Sequence, residues 1–108
     1  MTPLADRTCH EIPKGTPPMD ARQLEKHLAE LPGWEKADGG KSIARQYKFK
    51  NFYETMSFVN AVAHIANKQD HHPDLSVSYN TCRVQYNTHT VGGVSENDVI
   101  CAAKIERL

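Results

Sequence analysis

Six histidines are spread unevenly along the 108-residue chain. His71 and His72 are adjacent, and His89 follows at the far end of what reads as a β-hairpin. Pro73 pushes His72 out of helical backbone space, so the pair falls where a preceding helix must stop. Imidazoles at a helix C-terminus meet the negative end of the peptide dipole, which favours their protonated form and suits them to proton donation near neutral pH. If the hairpin turns at Asn80-Thr81, with Tyr79 opposite Cys82, antiparallel pairing sets Pro73 opposite Thr88 and His72 opposite His89, and the three rings converge. Three converging histidines admit a zinc site with an open fourth position or a metal-free acid–base site. Adjacent His71 and His72 lack the i, i+2 or i, i+4 spacing usual for paired ligands, which weighs against zinc. Asp70, Asp74 and Asp98 are carboxylates that could orient an imidazole or hold it charged, and Asp98 also occupies the N3 place of a capping box. His10, His27 and His64 have no comparable company and read as surface or packing residues.

The elements that must position these groups are marked by their start signals. Asp20 followed by Gln23 is a capping box, with Leu24, Leu28 and Leu31 at helical spacing behind it and Pro32-Gly33 to end the helix. Trp34 to Lys36 leads into the turn Asp38-Gly39-Gly40, and a strand from Ser42 to Phe49 places Ile43, Tyr47 and Phe49 on one face, interrupted by Arg45. Asn51 with Glu54 opens a second helix, whose stripe of Phe52, Met56, Val59, Val62, Ala63 and Ala66 runs to about Asp70. A second line, Phe58, Ala61 and Ile65, predicts that this helix also packs against a neighbouring subunit. Leu75, Val77 and Tyr79 mark a third strand, and Cys82, Val84, Tyr86 and Thr88 mark the inward face of a fourth, with His89 on the opposite parity. Ser95 and Asp98 start the last helix, stapled by Val94 and Val99. The expected fold is therefore α+β: a four-stranded antiparallel sheet with three helices on one face, in the order α-β-β-α-β-β-α. Residues 1–18, with four of the six prolines and no sustained period, read as an irregular N-terminal arm without assigned chemistry; residues 19–108 form the domain.

Composition bounds the function. Thirteen Lys plus Arg balance thirteen Asp plus Glu, so no basic field favours nucleic acid. No apolar run approaches the length of a membrane span, and nothing near the start reads as a signal or transit peptide, so a cytoplasmic protein without a membrane partner is expected. Cys9, Cys82 and Cys101 cannot all pair within one chain and form no Cys-x-x-Cys motif, so they read as reduced thiols, with Cys82 and Cys101 in the core.

The run Asp70-His71-His72-Pro73-Asp74, with Tyr79, His89 and Asp98 following at set intervals, resembles the signature of the pterin-4a-carbinolamine dehydratases. The order of helices and hairpins and the tail Ala102-Ala103-Lys104-Ile105 resemble that family too, so the likeness runs roughly from Met19 to Leu108. Asn67 departs from it, standing where the family usually has an acidic residue. The resemblance implies an enzyme that dehydrates 4a-hydroxytetrahydrobiopterin, or a related pterin, to the quinonoid dihydropterin after an aromatic amino acid hydroxylase has used the cofactor. It implies His71, His72 and His89 as the catalytic cluster, Asp70, Pro73, Asn87, Thr88 and Thr90 around the pterin, Asp98 as an orienting carboxylate, and neither metal nor organic cofactor. It also implies a homodimer or homotetramer. The alternative it carries is non-enzymatic: a dimerisation cofactor for a transcription factor, or an assembly factor for Rubisco.

Overall fold

The computed structural model describes residues 2–108. Three helices, α1 (Ala21–Leu28), α2 (Phe52–Gln69) and α3 (Glu96–Glu106), alternate with two hairpins, β1 (Glu35–Ala37) with β2 (Ser42–Lys48) and β3 (Asp74–Val77) with β4 (Thr81–Tyr86). The strands form the one four-stranded antiparallel sheet that the sequence predicts, in the spatial order β1-β2-β4-β3. No described helix is long and apolar enough to cross a membrane.

Local signals set the helix starts. Asp20 and Gln23 close the predicted capping box of α1, Asn51 accepts from the Glu54 amide at the head of α2, and Ser95 with Asp98 closes the box of α3. The first helix stops short of Leu31, because Pro32 disfavours helical backbone before it and the chain tightens into i→i+3 turns at Glu30 and Leu31. Those turns bury Leu31 and Trp34. Gly33 sits at φ 89°, a conformation that favours glycine, and a Cβ there would lie 2.7 Å from the Arg45 guanidinium, which would have to move aside.

The core lies between the sheet and the helices. Ile43, Cys82, Val84 and Tyr86 project from β2 and β4 into one buried cluster with Val62 of α2 and the apolar side of α3. Arg45 shares this inward face and is neutralised by Glu106, whose carboxylate also accepts from Trp34 Nε1 at 2.9 Å and Tyr47 Oη at 2.5 Å. Phe58 and Ile65, expected to face another subunit, instead pack on this chain's own core, Phe58 against Tyr47 and Phe49 with ring centroids 4.5 and 5.1 Å apart. The predicted stripe is displaced accordingly: Phe52 is 49% exposed, while Thr55 is buried.

The β3–β4 register also differs from the expectation. Val77 pairs with Cys82 and Asp74 with Gln85, so the turn is Tyr79-Asn80 rather than Asn80-Thr81. Both turn carbonyls are held from a distance: Thr55 Oγ1 donates to Tyr79 O at 2.9 Å and the Phe49 amide to Asn80 O at 2.8 Å. Continued outward, this register sets His72 level with Asn87, not His89. Beyond β4 the chain turns through a short 3-10 segment, His89–Val91, closed by a bridge between Thr88 and Gly93.

Candidate active site

The centre of the site is a buried histidine–aspartate pair. Asp70 ends α2 in the left-handed conformation, φ 51° and ψ 43°, which an aspartate tolerates and which turns the His71 amide back onto Ala66 O at 3.1 Å. The helix therefore stops before the restriction imposed by Pro73 is reached. That turn delivers His71 Nε2 to within 2.5 Å of Asp98 Oδ1 in α3. The imidazole stacks on Tyr86, ring centroids 5.3 Å apart, and Tyr86 Oη donates to His71 O at 3.2 Å.

Asp98 is fully buried, and both its oxygens are engaged. Oδ2 accepts from the Ser95 amide and from Thr88 Oγ1, each at 2.8 Å, so one carboxylate both caps α3 and holds the imidazole. The hydroxyls run in one direction. The Asn97 amide donates to Ser95 Oγ at 3.2 Å, Ser95 Oγ lies 2.5 Å from Thr88 Oγ1, and Thr88 donates on to Asp98. Among the described residues, the cation paired with this buried carboxylate is His71 when protonated. Burial of the His71 ring works against its charge, but the hydrogen bond and negative charge of Asp98 outweigh that, aided by Cys9 and Asp70, and its pKa is raised above the ordinary histidine value. The sequence argument offered both the helix dipole and a neighbouring carboxylate for this rise; the dominant raising group is the carboxylate.

His71 opens onto a cavity of about 750 Å³ lined by Asp70, Thr88, Thr90, Gln69 and Asn97, with the arm segment Cys9–Lys14 as its opposite wall. His72 is exposed, its Nε2 3.1 Å from Asn67 Oδ1, so the residue that replaces the family's acidic group does meet a histidine, but without charge. His89 is exposed in the 3-10 segment between Thr88 and Thr90; Asn87 is exposed and Pro73 half-buried. Among the described residues His71 is joined to neither His72 nor His89, and no three His, Cys, Asp or Glu side chains converge so as to hold a metal ion.

The arm is the part of the site that sequence reasoning missed. Asn97 takes both polar groups of His10, donating from Nδ2 to His10 O at 2.7 Å and accepting the His10 amide at 3.2 Å, while Gln69 Oε1 accepts the Cys9 amide at 2.9 Å. Nearer the start, Leu4 is buried and Lys104 Nζ donates to Ala5 O at 2.9 Å, so the arm lies along α3. These contacts join positions far apart in the chain and follow no period.

Comparisons with known proteins bear on the family and the fold. The family model described as pterin 4 alpha carbinolamine dehydratase matches residues 17–108. A relative in Nitrosomonas eutropha named for pterin-4-alpha-carbinolamine dehydratase is 52% identical over 106 residues, covering 97% of this chain and 92% of its own. One of the same name in Stenotrophomonas maltophilia is 45% identical over 108 residues, covering 100% and 93%. Among solved structures, a transcriptional coactivator/pterin dehydratase from Brucella melitensis superposes with a TM-score of 0.80 at 36% identity, over 83% of this chain and 96% of that one. A pterin dehydratase-like Rubisco assembly factor of the alpha-carboxysome shares the fold, with a TM-score of 0.60 at 16% identity over 69% of this chain and 87% of its own. The chain belongs to the pterin-4a-carbinolamine dehydratase family.

Proposed function

We propose that this protein dehydrates 4a-hydroxytetrahydrobiopterin, or a closely related pterin, to the quinonoid dihydropterin, with His71 as its principal acid–base group. The observation that carries this is the His71–Asp98 pair facing a cavity large enough for a bicyclic ligand. Loss of the hydroxyl from carbon 4a needs a proton on the departing oxygen and removal of a proton from the ring, while the neighbouring ring nitrogen pushes electrons into the bond that forms. An imidazole, which can give or take a proton, serves either transfer. Because Nε2 is held by Asp98, Nδ1 is the atom left to exchange a proton with the pterin. Asp98 acts as a positioning residue that fixes the tautomer and holds the imidazolium. Thr88, Thr90, Asp70, Asn87 and Pro73 border the ligand. His72 and His89, each next in sequence to a cavity-lining residue, hold its edge and relay protons.

The same reading places the protein in the cytoplasm, regenerating the pterin consumed by an aromatic amino acid hydroxylase, as a dimer or tetramer. Support for assembly comes from the sheet edge: β3 is an outer strand, and Val77, Tyr79 and Phe52 near it are 40%, 64% and 49% exposed. The presence of all three histidines favours a dehydratase over a purely structural partner role.

The test is a hydroxylase-coupled assay that follows decay of the 4a-hydroxy intermediate by absorbance, with wild type, His72→Ala and His89→Ala. Wild type is expected to accelerate the decay, and each folded variant to lose activity. A folded wild type that leaves the spontaneous rate unchanged sinks the proposal.

A further inference from the structure

Apart from the His71–Asp98 pair, two free thiols lie together beside the cavity. Cys9 Sγ lies 3.6 Å from Cys101 Sγ, although the residues are 92 positions apart, and both are free cysteines. Cys101 sits in the middle of α3 with no exposure, whereas Cys9 is half-buried on the arm and lines the cavity. We propose that Cys9 and Cys101 form a hydroperoxide-sensitive modification site, closing to a disulfide that ties the arm to α3 at the cavity wall.

The geometry suits this. A disulfide holds its sulfurs about 2 Å apart, so the pair must close by about 1.5 Å. Cys101 is fixed in a helix, but Cys9 lies on irregular backbone, its side chain packed at the edge of the core, its amide on Gln69 Oε1 at 2.9 Å and its thiol donating to Asn97 O at 3.6 Å. Rotation of one side chain with a small shift of the arm is enough. The two thiols are also differentiated. A hydrogen bond from Cys101 lowers the Cys9 pKa; burial and Asp98 oppose this, while His71 and Lys104 reinforce it, so Cys9 is the better thiolate. Cys101, in turn, is pushed up by Cys9 and by burial, and Cys82, fully buried in β4, by burial.

The chemistry balances with hydrogen peroxide, the simplest hydroperoxide, as the oxidant. The Cys9 thiolate attacks one peroxide oxygen, the O–O bond breaks, and Cys9 becomes a sulfenic acid as hydroxide leaves and is protonated to water. Cys101 sulfur then attacks the Cys9 sulfur, the S–O bond breaks, and the thiol proton leaves with that oxygen as a second water. Two thiols are oxidised and one peroxide is reduced. Nothing in this depends on which ligand the cavity takes.

The test exposes the reduced, full-length chain to hydrogen peroxide, blocks remaining thiols with an alkylating agent, and reads intact mass and linked peptides. Wild type should lose two of its three thiols, gain a Cys9–Cys101 link reversed by dithiothreitol, and resist proteolysis in the arm. Cys9 should react at least about 10-fold faster than Cys82. Cys101→Ala should stop at a Cys9 sulfenic acid captured by dimedone, and Cys9→Ser, a substitution on the surface arm, should keep both remaining thiols. Three intact thiols in wild type at a dose that oxidises free cysteine, faster reaction at Cys82, or a Cys9 link only between chains would overturn the proposal.

Discussion

Replacing Asp98 with asparagine removes one charge from the centre of the site and leaves its shape. The fully buried carboxylate accepts from His71 Nε2, Thr88 Oγ1 and the Ser95 amide. An amide has one oxygen and one NH2, so either the NH2 faces the Ser95 amide, donor against donor, or it faces His71 Nε2, which can accept only as the neutral imidazole; the charge-assisted bond is lost both ways. Hydrogen bonds to charged groups contribute about 1.5–3 kcal/mol each, and at least one is lost, which for a domain of this size lowers Tm by on the order of 10 °C. The pH dependence identifies the cause. The His71 pKa is raised in the folded chain, so the stability its charge provides is fully present below the unfolded histidine value of about 6.5 and is lost as pH rises through the higher folded value. Asp98→Asn returns that pKa downward and removes this contribution, so the Tm gap between wild type and variant should be widest at mildly acid pH and narrow towards pH 9. Thermal melts across pH, with NMR titration of the His71 ring, measure both. A gap independent of pH, or a His71 titration unmoved by the substitution, would refute the reasoning.

Three further outcomes are expected. Dehydration should fall as pH rises through the raised His71 pKa if the imidazolium is the acid, and a flat profile from about pH 6 to about pH 9 would exclude that role. Glu106→Ala strands Trp34 Nε1, Arg45 and Tyr47 Oη together, and because Arg45 and Glu106 are about a quarter to a third exposed, the loss should be on the order of 3 kcal/mol by denaturant unfolding. Val77→Lys should shift an oligomer towards monomer in sedimentation, and a wild type already monomeric at micromolar concentration would contradict assembly through β3.

What could be seen in the sequence was what neighbouring residues decide. Asp20 with Gln23, Asn51 with Glu54 and Ser95 with Asp98 begin helices through contacts three residues long, and all three caps form. Alternation placed Cys82, Val84, Tyr86 and Thr88 inward, and each is buried. Asp98 could be named both as a cap and as a partner for histidine because the two roles use different oxygens. Register was harder to see: Tyr79-Asn80 is the turn because Thr55 and Phe49, on other elements, bind its carbonyls. Likewise, nothing local indicates that Asn97 and Gln69 would hold the arm against the cavity, or that Glu106 would gather Trp34, Arg45 and Tyr47. Burial of Phe58 and Ile65 shows the same limit, since an apolar line on a helix does not say whether its cover comes from the same chain.

The claim that His71, held by Asp98, transfers the proton in dehydration is tested most directly by His71→Ala in single turnover, paired with equilibrium binding of a stable pterin. Binding should stay within a few-fold of wild type, while decay of the 4a-hydroxy intermediate at saturating protein slows by about 10²-fold or more. A folded His71→Ala protein that binds pterin and turns over the intermediate at the wild-type rate would contradict the account.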